Sequence, residues 1–522
     1  ETDGVSTWTG GGNSSDWSDP QNWGGVDFVQ YKSVVISSLA NTYPEITKGI
    51  IDVHNLTIQP GAVLTHTGGT LNVTGLFTLE SSVDVNGSYI NSGAVGAVLN
   101  VEGGNVNVEQ VINNIDLSYV ISSPTDGSTA DNFGGYYPLY YYENSSDSWQ
   151  PISFSSAMTS GVGYRMWTDD TMVNFSGDFN IGSVLVSLSR TDGQGYGWNF
   201  VGNPYPAAID WNLLNVTEES TIEDNFWMWM PTQKSYGSYS ASTGIAVNIL
   251  SSKIPSNHGF LVKVKQGLTS GSLEFLPSAQ VANDAMYLKS ASSKPLTSHF
   301  KLAGISAEGF RDEFAVAFVD GAVEGVDRYD MEKRFANQRH LFELFSLSGS
   351  LKSVINSVPN VGFIEIPLGY NALQTGTVGV ELVNSNLEDA VVILVDELTD
   401  EETVLEEGGR VDVFISQKGV VNDRFKLRVS RVVTSDASIV VTEEQNSRIR
   451  VVVKDRNIHF FLSEPGSYEG FMICDVQGRV IRSGALSGAQ FESLGSFSDG
   501  VYLIQLFNSE IGSVENVKVV VY

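Results

Sequence analysis

The 522-residue chain contains a single cysteine, Cys474, so no internal disulfide can form and a Cys-based zinc site is excluded. The run Phe471-Met472-Ile473-Cys474 reads as a strand in which the thiol is a small buried hydrophobe. Six histidines are scattered at positions 54, 66, 258, 299, 340 and 459, with no pair at metal-ligand spacing. His-Glu-x-x-His, Gly-x-Ser-x-Gly and Gly-Lys are all absent, which removes the short signatures of zincins, nucleophile elbows and phosphate loops. Basic residues are scarce: 30 Lys/Arg stand against 60 Asp/Glu, a formal charge of −30. Residues 1–284 hold 8 Lys/Arg and 27 Asp/Glu, a net of −19, and no basic side chain stands between Lys48 and Arg165. Phosphate binding needs clustered Lys/Arg, so this argues against nucleic acid and against an anionic membrane surface. No run of 18 apolar residues occurs, and hence no candidate membrane-spanning helix.

What the chain has in quantity is glycine, 52 residues, with an apolar fraction of 42% and only 17% charged residues. Val, Thr, Asn and Ser accompany the glycine, a composition of strands and turns. The expected fold is all-β, with helix under about a tenth of the residues against a globular norm of roughly a third. Four segments are expected. They are a Trp-rich cap and β-solenoid over 1–115, an aromatic-rich β-sandwich over 116–284, a second β-sandwich over 285–436, and a small seven-stranded β-sandwich over 437–522. Two helical excursions are expected, one capped by Asp210 through Leu214 and one over Tyr329 to Asn337.

The opening carries Trp8, Trp17 and Trp23 among Gly, Asp and Ser. Such text forms no regular element; its indoles either plug the open end of a core or offer a sugar-stacking platform. From Ser33 the sequence becomes repetitive. His54-Asn55-Leu56-Thr57-Ile58 alternates and then turns at Pro60-Gly61, and similar units follow at Leu71-Asn72-Val73, Val83-Asp84-Val85 and Val98-Leu99-Asn100-Val101. Short β-branched strands punctuated by Gly and Asn fit a β-solenoid, and a hairpin-built sandwich would give similar text. In the solenoid reading Val, Leu and Ile point inward while Thr, Asn and Asp point out.

Three sets of residues could carry chemistry. Asp52, Glu80, Asp84, Glu102 and Glu109 could supply paired carboxylates to a polysaccharide lyase or hydrolase. That stretch has no Lys or Arg to neutralise a uronate, so the expectation is no enzyme and no catalytic residue. Arg311-Asp312-Glu313 with Asp320, Asp327, Asp330 and Glu332 could hold a structural Ca²⁺, although the spacing is not that of an EF-hand loop. The stripes Tyr136–Tyr142 and Phe226–Met230 could stack on sugars or serve as strand core.

At the C-terminus, Ile473-Cys474-Asp475-Val476-Gln477-Gly478-Arg479-Val480 carries a strand–Asp–x–x–Gly–Arg–strand motif. Downstream come Asp499-Gly500-Val501-Tyr502-Leu503 and the final Val517-Lys518-Val519-Val520-Val521-Tyr522. In these motifs the segment resembles the type A C-terminal sorting domain of proteins exported by the type IX secretion system. The usual Asn-Pro start is missing, and Ser438-Ile439-Val440-Val441 stands in its place. Gly-Trp-Asn-Phe-Val-Gly-Asn-Pro-Tyr-Pro (197–206) is also similar to text in surface proteins of bacteria that use this pathway.

The resemblance implies that Asp475, Gly478, Arg479, Gly500, Val501, Tyr502 and Lys518 form the sorting signal. The implied partners are an outer-membrane shuttle barrel, the translocon and a sortase, followed by attachment to surface polysaccharide. The implied location is the cell surface, reached through the periplasm and outer membrane. The absence of an initiator Met or apolar leader at Glu1 fits a processed chain. Asp170-Thr171-Met172 resembles the periplasmic O-glycosylation acceptor of these bacteria, making Thr171 a candidate. The expected role is structural or adhesive; the alternatives are a carbohydrate-binding surface protein and an enzyme of polysaccharide breakdown.

Overall fold

The computed structural model describes residues 4–133, 137–249, 251–283, 297–387, 390–431, 449–454, 456–462, 468–486, 491–508 and 513–521. Strand makes up 53% and helix 4%, so the fold is all-β. The chain divides into two compact units, Glu1–Pro295 and Leu296–Tyr522. Two of the expected segment boundaries, 284/285 and 436/437, and the stretch Ser438–Val441 lie outside the described residues.

The first unit opens with the solenoid. Strands β1 (Val5–Trp8), β2 (Ser33–Ile36), β5 (Leu56–Ile58), β8 (Phe77–Leu79) and β11 (Val106–Val111) pair in parallel along one wall. β3 (Glu45–Ile46), β6 (Val63–His66) and β9 (Ser88–Asn91) form the second wall; β4 (Ile50–Val53), β7 (Gly69–Val73) and β10 (Ala97–Val101) form the third. Val34 sits opposite Leu56 and Leu56 opposite Phe77, so one coil advances by 22 and then 21 residues. The alternation in the sequence is the cause. Val34, Leu56, Ile58, Phe77, Leu79 and Val106 fill the interior, while Thr57 stacks beside Thr78 outside. Outward polar ladders bond the coils: Asn72 Nδ2 donates to Asp52 Oδ1 (2.6 Å) and Asn100 Nδ2 to Asn72 Oδ1 (2.8 Å).

The first wall ends on an antiparallel strand, β17 (Met172–Ser176), with Val108 opposite Phe175. Before it come β12 (Tyr119–Ile121), β13 (Thr125–Asp126), β14 (Tyr140–Glu143), β15 (Ser148–Pro151) and β16 (Tyr164–Met166). Strands β12, β16, β14 and β15 make a four-stranded antiparallel sheet in that order. Its inner face contributes Ile121, Tyr164 and Met166 to the core cluster that also contains Trp8, Leu56 and Phe77. Strands 198–202, 259–263, 225–230, 235–240 and 245–247 form a further antiparallel sheet over a second core of Phe226, Met228 and Phe260.

The Gly-Asn-Pro-Tyr motif closes a corner here. Buried Asn203 donates to the carbonyls of Ala207, Ile254 and Pro255, and buried Tyr205 donates to those of Gly182 and Phe275. The expected cap at Asp210 forms, accepting from the Asn212 amide at 3.0 Å, and the helix is one 3₁₀ turn, Trp211–Leu213.

In the second unit, residues 298–430 build one eleven-stranded sheet, bent until it is nearly a closed barrel. Phe300, Phe314, Leu344, Ile366 and Leu427 pack across its interior. The helix expected over Tyr329 to Asn337 is not formed. Met331–Glu332 is instead a short strand against Ser353 and Ile355, because the flanking Asp330 and Lys333 are both buried and held to other strands. Lys333 Nζ lies 2.6 Å from Asp312 Oδ2, and Asp330 accepts from Ser348 Oγ and the Ser357 amide at 2.9 Å each. The described residues between 449 and 521 add a small sandwich of seven strands, three in one sheet and four in the other, around Ile458, Ile473, Leu494, Ile504 and Val519.

Candidate functional site

The three N-terminal tryptophans are core. Trp8, Trp17 and Trp23 are all buried, with ring centroids 5.0–6.0 Å apart, and Phe28 packs on Trp17 and Trp23. Trp8 Nε1 donates to the Thr42 carbonyl at 2.7 Å and Trp23 Nε1 to that of Trp17 at 2.7 Å. Indoles arranged this way plug the first coil and offer no face to a sugar.

The five outward acids of the solenoid are mostly dispersed. Asp52 is in the Asn ladder, Asp84 is exposed on a turn, and Glu102 is exposed in a 3₁₀ turn. Only Glu80 and Glu109 approach one another; partial burial and then the Glu109 charge raise the Glu80 carboxyl above its ordinary value. Most of the Ca²⁺ candidates are drawn into other contacts. Asp312 is paired with Lys333, Glu313 lies near Arg311, and Asp327 accepts the amides of Val323 and Tyr329. Asp320 accepts from Asn360, and among the described residues no three His, Cys, Asp or Glu side chains gather as a metal site.

The aromatic stripes divide. Tyr136 lies outside the described residues, Tyr137 is exposed, and Tyr140, Tyr141 and Tyr142 are half-buried. In the second stripe Phe226, Trp227, Met228 and Met230 are buried, and only Trp229 is partly open.

The half-buried rings gather around a residue that motif reasoning passed over. Tyr140 sits directly opposite Arg165 across β14 and β16, and Tyr142 opposite Trp149 across β14 and β15. Trp167 lies two residues beyond Arg165, so strand alternation puts Arg165, Trp167, Tyr140, Tyr142 and Trp149 on one face, turned away from Tyr164 and Met166. The Arg165 guanidinium stands 4.3 Å over the Trp167 ring and 5.8 Å from that of Trp149. Tyr140 packs edge-on to Trp167 (5.8 Å) and Tyr142 to Trp149 (5.7 Å).

The neighbouring sheet contributes Phe200 against Trp149 (4.5 Å), the pair Trp229–Tyr236 (5.2 Å), and a bond from Trp229 Nε1 to the Ser118 carbonyl (3.0 Å). Partial burial lowers the Arg165 pKa, against the opposing pull of Tyr236 and Tyr140. Arg165 could have been singled out in the sequence as the first cation after a stretch of 116 residues without one, inside the alternation Tyr164-Arg165-Met166-Trp167.

The C-terminal motif forms one turn. Asp475 Oδ1 accepts the amides of Gln477 and Arg479 (3.0 Å each), and its Oδ2 takes Arg479 Nε and Nη2 (2.9 Å each). Burial acts to raise the Asp475 pKa; the bonds from Arg479 and Gln477 outweigh it and hold the carboxyl below its ordinary value. Gly478 has φ +77°, which explains glycine there. Gly500 and Val501 open a strand that pairs with both neighbours; buried Tyr502 donates to the Ser498 carbonyl (2.8 Å), and Lys518 is in register with Leu503. Cys474 is buried, as expected. Thr171 is exposed in a bend just before β17.

With this geometry in hand, the class of protein is a two-unit, all-β chain whose first unit joins a three-walled solenoid to an aromatic sheet. A family model described as a domain of unknown function (DUF8693) matches residues 7–429, and the chain belongs to that family. No curated protein and no solved structure matches the chain. The family match stops at 429, ahead of the small C-terminal sandwich.

Proposed function

We propose that this is a non-catalytic cell-surface protein of structural or adhesive role, exported by the type IX secretion system and addressed by its C-terminal sandwich. The observation that carries the reading is the Asp475–Arg479 turn. One carboxylate fixes two backbone amides and a guanidinium, so the motif has a defined shape with no catalytic group. The strand that follows, Val480–Ala485, is exposed along its whole length at the edge of its sheet. An exposed edge suits recognition by strand pairing, here by the shuttle barrel. Removal of the domain by a sortase and attachment to surface polysaccharide belong to the same proposal.

Fusing residues 437–522 to a periplasmic reporter in a type IX-competent cell tests it. The fusion should reach the surface, and Asp475→Ala should leave most of it behind; retention of the parent fusion in the periplasm would reject the reading. A second reading, carbohydrate binding, is favoured by the partly open rings around Arg165.

A further inference from the structure

We propose that the face around Arg165 binds a glycan that is otherwise neutral and bears an isolated carboxylate, the guanidinium taking the carboxylate and the rings taking the sugar faces. This rests on the carbohydrate-binding reading above and adds the class of ligand.

The guanidinium carbon stands 4.3 Å over the Trp167 ring, and a cation held by a ring keeps in-plane N–H donors for a further partner. The hydrogen bond made by those donors within the protein is Nη2 to Ser118 Oγ at a long 3.5 Å, and among the described residues no carboxylate pairs with Arg165. Three other cations of the same unit are engaged: Arg190 with Asp192 (2.7 Å), Lys263 with Glu223 (3.6 Å), and Lys265 on the Glu218 carbonyl (2.5 Å). Residues 1–284 offer 27 carboxylates to 8 Lys/Arg, yet among the described residues none of those carboxylates pairs with this arginine. A planar fork that holds no carboxylate within the described protein matches one from a ligand through two parallel N–H···O bonds.

Tyr140, Trp149, Trp167, Trp229 and Tyr236 are all half-buried and give apolar ring surface suited to pyranose C–H faces. The indole N–H groups of Trp149 and Trp167 have no acceptor among the described residues, so they are donors for sugar hydroxyls.

The net −19 of residues 1–284 repels a dense polyanion, whereas a single carboxylate feels mainly the nearby guanidinium. That selects a sparsely charged glycan over a polyuronate or an acidic peptide.

The test measures binding of the full chain to immobilised lactose, to lactose capped with sialic acid or glucuronic acid, to polygalacturonate and to poly-glutamate. The capped sugars should bind at least about tenfold tighter than lactose. Arg165→Gln should bring them to the lactose level with the melting temperature held, and Arg165→Lys should retain part of the preference. Trp167→Ala should weaken capped and plain lactose alike. Polygalacturonate should bind worst at low salt and improve as salt screens the repulsion. Equal binding of lactose and its capped forms would overturn the carboxylate proposal while leaving carbohydrate binding intact. Binding of no sugar at all would overturn both, and poly-glutamate binding as well as the capped sugars would overturn the glycan assignment. An Arg165→Gln chain that melts lower but binds unchanged would make Arg165 a packing residue and end the proposal.

Discussion

Trp8 and Trp17 share one capping cluster and differ in the fate of one hydrogen. Trp8 Nε1–H bonds the Thr42 carbonyl at 2.7 Å, whereas Trp17 Nε1–H is buried with no acceptor among the described residues. Replacing either with Phe removes a similar slice of ring, a shared loss of about 1–2 kcal/mol for large-to-small change in a core. Trp8→Phe also deletes a hydrogen bond, worth about 1 kcal/mol net. Trp17→Phe instead removes a buried unmet donor, whose presence costs about 1–3 kcal/mol. Trp8→Phe should therefore destabilise by about 2–3 kcal/mol and Trp17→Phe by nearly nothing, a gap of about 2–4 kcal/mol from the same side-chain exchange.

Hydrogen exchange of the β1 and β2 amides reads this locally, where the gap appears as a ratio of about 30-fold or more in opening. Because coils contact only their neighbours, the loss should fade toward β8 and β11. Equal effects of the two substitutions, or loss of protection spread evenly over all coils, would refute the account of the cap.

Burial, against the bonds from Ser357, Asp327 and Ser348, raises Asp330 to about 6 and so keeps its proton to a higher pH in the folded chain than in the unfolded one. The folded state then binds more protons between about pH 4 and 6, so stability should fall as pH rises through that window, by at most about 3 kcal/mol. Urea midpoints measured across it should show this slope, and Asp330→Asn should flatten it; a slope of opposite sign would contradict the assignment. Thr171, exposed and outside regular structure, should carry a glycan in protein from its native cells. Intact mass should exceed that of the polypeptide, and Thr171→Ala should return it to the bare value.

Much of the solenoid was legible because its interior obeys a period of two over three or four residues at a time. Leu56-Thr57-Ile58 and Phe77-Thr78-Leu79 each name their own inward face. The closure of its last wall by β17 was not legible, since antiparallel pairing of Val108 with Phe175 joins segments about sixty residues apart with no local mark. The stretch from Tyr329 misled because its apolar and charged residues also suit a helix; burial of Asp330 and Lys333 against distant strands decides otherwise. At the aromatic site the tyrosine run drew attention by its density. The residue that organises the site, Arg165, is a single letter whose partners Trp149 and Tyr140 come from two other strands.

A parallel solenoid is an open-ended object: its last coil presents a strand edge onto which another coil, from the same or a different molecule, can stack. Here the first wall ends on a strand running the opposite way, Val108 facing Phe175, and at its outer edge the Ser176 amide donates to Ser128 Oγ while the Ser176 carbonyl accepts from Thr125 Oγ1 and Ser128 Oγ. Part of the edge onto which a further coil would stack is therefore already occupied from within the chain. Between the tryptophan plug and this strand, however, each coil repeats its neighbour's geometry. A duplicated stretch of 21 or 22 residues inserted in register would lengthen the solenoid by one strand spacing, about 4.8 Å, and leave both ends as they are. The segment is thus an extensible element whose length can evolve one coil at a time.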